Sequence, residues 1–172
     1  MKKVLIVEDE ILARLGLRQL VDWRKLELEL LPDATDGEEA LEMIRNSCPD
    51  IILLDLNIPK VSGLEILEFL KKEEMPTKVI VVSCQEEFDV VKKAMKLGAY
   101  DYLRKLNLSS DELENILEKE EPSFGTASDY VMISACYRSA GQGETAEEMF
   151  RKTCDMMEQI LYSRKIRWQQ LT

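Results

Sequence analysis

Short apolar runs and helical periodicities alternate through the first two-thirds of the chain. Lys3 to Val7 is an apolar run that Glu8-Asp9-Glu10 ends abruptly. From Glu10 to Val21, Ile11, Leu12, Leu15, Leu17 and Leu20 recur at helical spacing, so a first strand feeds a first helix. Leu26-Glu27-Leu28-Glu29-Leu30 alternates strictly, which predicts a strand with one wet face near the edge of a sheet, and Pro32 fits a strand end. Asp36-Gly37 opens a helix carrying Ala40, Leu41, Met43 and Ile44, and it ends before Pro49.

Ile51-Ile52-Leu53-Leu54 has no polar face, the pattern of a strand buried on both sides in a parallel sheet. Asp55 falls at its carboxyl end, where ligands bind in open α/β sheets, and Pro59 and Gly63 close the element. Leu64, Ile66, Leu67 and Leu70 mark a third helix that stops before Pro76. Lys78 to Ser83 is a β-branched strand. Phe88, Val91, Met95 and Leu97 mark a fourth helix with Gly98 as its C-cap. Ala99 to Arg104 is the fifth strand, and Ser109 or Ser110 caps a last helix through Leu113, Ile116 and Leu117.

Five alternations of strand and helix predict a parallel sheet with helices on both faces, an α/β doubly wound fold. Right-handed crossovers then gather the strand-to-helix loops on one edge, and with them Glu8, Asp9, Asp55, Asn57, Ser83 and Lys105.

Composition narrows the chemistry. None of the 172 residues is histidine, and the four cysteines (Cys48, Cys84, Cys136, Cys154) form no C-x-x-C pair, which argues against structural zinc, a disulfide framework and the usual catalytic triads. The net charge of −10 argues against nucleic-acid binding by the chain itself. The apolar runs are strand-length, so nothing is expected to span a membrane, and a cytoplasmic protein is the expectation.

Three carboxylates, Glu8, Asp9 and Asp55, repel unless a cation joins them. With hard oxygen donors alone the natural ion is Mg²⁺. A carboxylate beside Mg²⁺ attacks a phosphoryl group to give an aspartyl phosphate, while Lys105 and the Ser83 hydroxyl contact the transferred group. Taken singly, each residue has a plainer role: Lys105 on the surface, Ser83 as a cap, Glu8-Asp9 as a solubilising loop. Their joint placement at strand ends favours the site.

On these residues, residues 1–119 resemble the receiver domain of two-component response regulators. The resemblance implies a flavodoxin-like (βα)5 fold with strand order 2-1-3-4-5. It implies that Glu8 and Asp9 bind Mg²⁺ together with Asp55, the phosphorylated aspartate, and the backbone carbonyl of Asn57. Ser83 matches the family's hydroxyl, Tyr102 the switch aromatic and Lys105 the phosphate-binding lysine. Leu17, Val21-Asp22-Trp23 and Glu87-Phe88 resemble receivers that precede AraC-type DNA-binding regions. Lys105 is followed by Leu106 where the family usually has proline, Cys84 replaces a small residue and is expected to narrow access to Asp55, and Ser62 stands where an aspartate often precedes the glycine.

The resemblance implies a histidine kinase as partner and a switch rather than an enzyme, with at most slow self-dephosphorylation. It also implies a phosphorylation-favoured homodimer through the face of the fourth helix, fifth strand and fifth helix. A haloacid-dehalogenase-like hydrolase is disfavoured by Asn57 two residues after Asp55, where that family has its acid. An unphosphorylated, partner-binding scaffold stays open because of Leu106 and Cys84.

Residues 120–128 read as a linker. The remainder, 129–172, reads as a mainly helical extension, with Thr145 and Glu148 as a capping box. It is too short for the paired helix-turn-helix units of an AraC-type reader.

Overall fold

A computed structural model of the chain describes residues 1–84 and 88–118. Its elements run in strict alternation: β1 (Lys2–Val7), α1 (Ile11–Leu20), β2 (Leu28–Leu30), α2 (Gly37–Ser47), β3 (Ile51–Leu54), α3 (Gly63–Lys72), β4 (Lys78–Ser83), α4 (Phe88–Leu97), β5 (Asp101–Arg104) and α5 (Ser110–Glu118). The strands form one parallel sheet in the order β2-β1-β3-β4-β5, the flavodoxin-like arrangement. The linker at 120–128, the extension at 129–172 and the Glu87 part of the AraC-like pattern lie outside the described residues.

The sheet separates two apolar cores because successive strand residues point to opposite faces. Leu5, Val7, Ile52, Leu54, Val79 and Val81 pack under Ala40 and Ile44 of α2, Ile66, Leu67 and Leu70 of α3, and Val91, Ala94 and Met95 of α4. Val4, Ile6, Ile51, Leu53, Ile80 and Val82 pack under Leu17 of α1 and Leu113, Ile116 and Leu117 of α5. Every residue of β3 is buried, as expected for a central strand covered on both faces.

Two strands are shorter than their patterns predict. Leu26 belongs to a turn: its N–H donates to the Asp22 carbonyl and the Leu28 N–H to the Trp23 carbonyl, with Glu27 at φ 56°. The Leu26 side chain still packs on the α1/α5-side core, so its apolar character reflects burial and not strand pairing. β5 starts at Asp101 and not Ala99. The chain arrives through a turn in which the Ala99 N–H meets the Ala94 carbonyl, and Tyr100 then donates to Val79 at 2.7 Å.

Candidate phosphoryl-acceptor site

The carboxyl edge of the sheet brings three loops together. β1 and β3 are in register through Val7 and Leu54, so the next residues, Glu8 and Asp55, emerge side by side. One carboxylate oxygen from each of Glu8, Asp9 and Asp55 lies within 4.8 Å of the others. Glu8 and Asp55 are buried, whereas Asp9 is exposed. The chain also turns at Lys105, which opens a single 3-10 turn, Lys105–Asn107. Its Nζ lies 2.6 Å from Asp55 Oδ2 and 2.6 Å from Glu8 Oε2. Three acidic groups against one ammonium leave the pocket two negative charges in excess when all are ionised.

Burial and pairing set the electrostatics of this cluster. Burial pushes the Glu8 carboxyl above its ordinary value, and the neighbouring Asp55 charge adds to that. The hydrogen bond and positive charge of Lys105 oppose the rise without cancelling it. For Lys105 burial also disfavours the charged form, yet hydrogen bonds to Asp55 and Glu8 outweigh it and hold the ammonium above the usual lysine range. The contrast follows from geometry: the lysine meets two anions and keeps some solvent, while Glu8 shares one cation and is almost fully enclosed.

Other predicted residues fall at the same edge. The Asn57 N–H donates to Asp55 Oδ1 at 3.2 Å, the oxygen that Lys105 leaves free in pairing with Oδ2. Ser83 ends β4, is buried, and is paired in register with Arg104, one residue before Lys105. Tyr102 is fully buried in the core on the α2, α3 and α4 side. Cys84 is exposed. Leu106 is exposed, and no described peptide bond is cis, the Lys105–Leu106 bond included.

Several residues that hold this pocket are not apparent from the strand-end pattern. Ser62, which stands where an aspartate often precedes the glycine, forms a reciprocal capping box with Glu65 at the start of α3. The S-x-x-E spacing at 62–65 was the available signal. Asp36 caps α2 through the N–H groups of Glu38 and Glu39, and its other oxygen takes the Lys60 ammonium at 2.7 Å. Arg14, on α1, donates to the backbone carbonyls of Glu8 at 2.7 Å and Asp9 at 3.2 Å. The Asp36–Lys60 pair joins elements remote in sequence, and no local motif announces it.

A family model described as the response regulator receiver domain matches residues 4–130. The chain belongs to this family. It is 33% identical over 118 residues to an uncharacterized response regulatory protein of Staphylococcus epidermidis, covering 69% of this chain and 46% of that protein. It is 33% identical over 102 residues to the nitrate/nitrite response regulator NarL of Escherichia coli, covering 59% of this chain and 47% of NarL. The chain thus spans about half the length of the curated relatives it matches. A crystal structure of the CheX-CheY-BeF3-Mg²⁺ complex from Borrelia burgdorferi contains a chain similar to this receiver, with a TM-score of 0.61 and 26% identity, covering 67% of this chain and 86% of that one. These matches identify a receiver and do not single out the AraC-type branch. Leu17, Val21 and Trp23, which carried that finer likeness, are core residues here. The Trp23 indole N–H donates to the Arg18 carbonyl at 2.9 Å.

Proposed function

We propose that the chain is the phosphoryl-accepting switch of a two-component system, with Asp55 as the acceptor. The observation that carries this reading is the Lys105 ammonium, placed 2.6 Å from both Asp55 and Glu8 although some fifty residues separate it from Asp55 along the chain. In the reaction, a carboxylate oxygen of Asp55 forms a bond to phosphorus. The phosphorus–nitrogen bond of the kinase phosphohistidine breaks, and the imidazole leaves with that electron pair and takes a proton. Lys105 then gives up its contact with Asp55 Oδ2 and pairs with a phosphoryl oxygen, while the Ser83 hydroxyl donates to another.

The donor set fits Mg²⁺: hard oxygens only, two of them on buried side chains, and an excess of negative charge that a divalent ion neutralises. Glu8, Asp9, Asp55 and the Asn57 carbonyl would hold it. When bound, the ion supplies charge neutralisation for the oxygens of the transferred group. The Borrelia complex, which contains Mg²⁺ and BeF3 and a chain similar to this one, supports Mg²⁺ as the ion.

Phosphorylation biases the face of α4, β5 and α5 between two arrangements, with Ser83 and Tyr102 linking that face to Asp55. A dimer through this face follows, and output passes to an effector outside the described residues. Relatives named as transcriptional regulators, among them DegU of Brevibacillus brevis, support transcription as that output. The AraC-type likeness at Leu17, Val21 and Trp23 supports the finer assignment.

Incubation with acetyl phosphate and Mg²⁺, read by intact mass, tests the reading. One phosphoryl group is expected on the wild type and none on Asp55→Asn. Multiple turnover of phosphate esters would instead mark a hydrolase, and no labelling a scaffold. Sedimentation with beryllofluoride bound is expected to show a rise in mass; an unchanged mass removes the dimer.

A further inference from the structure

The Arg14 guanidinium is placed to do something the acidic pair cannot do for itself. One of its nitrogens, Nη1, donates to the carbonyls of Glu8 and Asp9 at 2.7 and 3.2 Å. Its Nε faces Asp33 at 3.7 Å, and Asp33 is anchored in turn by Arg18 at 2.6 Å. The Arg14 and Asp33 side chains are each only 16% exposed, so the contact is partly shielded from water. The Asp33 segment also grips the same strand end from the other side: the Glu8 N–H donates to the Ala34 carbonyl at 3.0 Å, and the Ala34 N–H to the Ile6 carbonyl at 2.9 Å. Glu8 is thereby held at both backbone polar groups. Asp9, exposed at its side chain, receives the Arg14 contact at its carbonyl.

We propose that Arg14, oriented by Asp33, is a positioning residue that fixes the backbone of the β1–α1 loop and so sets the affinity of the acidic pair for a divalent cation. The proposal rests on the receiver reading above and adds a residue to it. Two separate nitrogens of one rigid plane are used, Nη1 on both carbonyls and Nε toward the Asp33 carboxylate, a division of contacts that a lysine ammonium cannot reproduce. Groups that orient metal ligands typically change metal affinity about 10- to 100-fold when removed.

The sign of the effect separates positioning from plain electrostatics. Arg14 is a cation close to a cation site, so charge alone predicts that deleting it tightens Mg²⁺ binding. Positioning predicts the opposite. Mg²⁺ titration of the full chain by calorimetry, with wild type, Arg14→Ala, Arg14→Lys and Arg18→Ala, reads this directly. Arg14→Ala is expected to raise the Mg²⁺ dissociation constant about tenfold, and Arg14→Lys to raise it by a smaller factor. Arg18→Ala removes the same charge together with the anchor that holds Asp33 behind Arg14, so positioning predicts a rise in the dissociation constant smaller than that of Arg14→Ala, where charge alone again predicts tightening. Far-UV circular dichroism checks that each variant is folded; if Arg14→Ala is not, Arg14→Lys carries the test alone. Unchanged or tightened binding in the folded Arg14 variants overturns the proposal, whatever their thermal stability. A wild type that binds no Mg²⁺ removes the receiver reading and this proposal together. Normal wild-type binding with insensitive Arg14 variants removes only this one.

Discussion

Two loops build the pocket, and they are held in different ways. The β1–α1 loop, with Glu8 and Asp9, is held largely by charge: Lys105 on the Glu8 side chain, Arg14 on both carbonyls, Asp33 behind Arg14. The β3–α3 loop, with Asp55 and Asn57, is held by backbone contacts too close to admit a methyl group. A Cβ on Gly37 would lie 1.9 Å from the Val61 carbonyl oxygen, and one on Gly63 would lie 2.5 Å from that of Asp55. The Gly37 N–H donates to Pro59 and the Gly63 N–H to Leu56, which draws the loop against α2 and α3. Each loop offers two of the four groups proposed to hold the cation, one loop secured through charged side chains and the other through close backbone packing.

Removing one partner breaks each kind of restraint in a recognisable way. Lys105→Met leaves buried carboxylates without their cation and is expected to lower stability by about 3 kcal/mol. Saturating Mg²⁺ should restore much of that loss in urea denaturation, because an ion bound only to the native state stabilises it. Gly37→Ala and Gly63→Ala are each expected to lower stability by about 2 kcal/mol. Mg²⁺ is expected to restore little of it, since the clash lies in the backbone. Recovery of the glycine variants, or none for Lys105→Met, would erase the distinction between the loops.

Smaller effects sharpen the contrast. Ser62→Ala removes the reciprocal cap of α3 and is expected to lower stability by about 1 kcal/mol, measurable as a shift in the urea midpoint at unchanged slope. The raised Glu8 value gives the charge-held loop a pH dependence. Because the folded carboxyl binds its proton more tightly than the unfolded one, the Glu8 contribution lowers stability as pH rises from the ordinary value of 4.5 through the raised one. A bound proton also competes with Mg²⁺, so cation affinity should weaken as the pH falls toward the raised value. Calorimetric titration across that range checks the sign, and Glu8→Gln should flatten the profile. Lys60→Met is expected to change least: the Lys60 pair with Asp36 is solvent-facing, and its loss should barely move the thermal midpoint.

The fold was legible because period-two and period-3.6 patterns alternate cleanly, and because unbroken aliphatic runs such as Ile51–Leu54 occur where both faces are covered. Asp55, Glu8 and Lys105 were legible because strand ends are positions that a chain pattern can locate. Leu26 misled, since alternation reports burial on one side and a tight turn can supply that as well as a strand. Arg14, Asp33 and Lys60 were not legible: their work depends on distances across the fold between charged residues that look like ordinary surface.

The lysine lodged between Asp55 and Glu8 also bears on the pocket when no cation is bound. With its own ammonium seated among the carboxylates, the protein carries a resident stand-in for part of the ion's charge. On the proposed reading, depletion of Mg²⁺ is therefore expected to leave an idle but intact molecule, unlike a zinc finger, which falls apart when its metal is withdrawn. A chelator should silence this receiver reversibly, and replenishing the ion should revive it without any refolding.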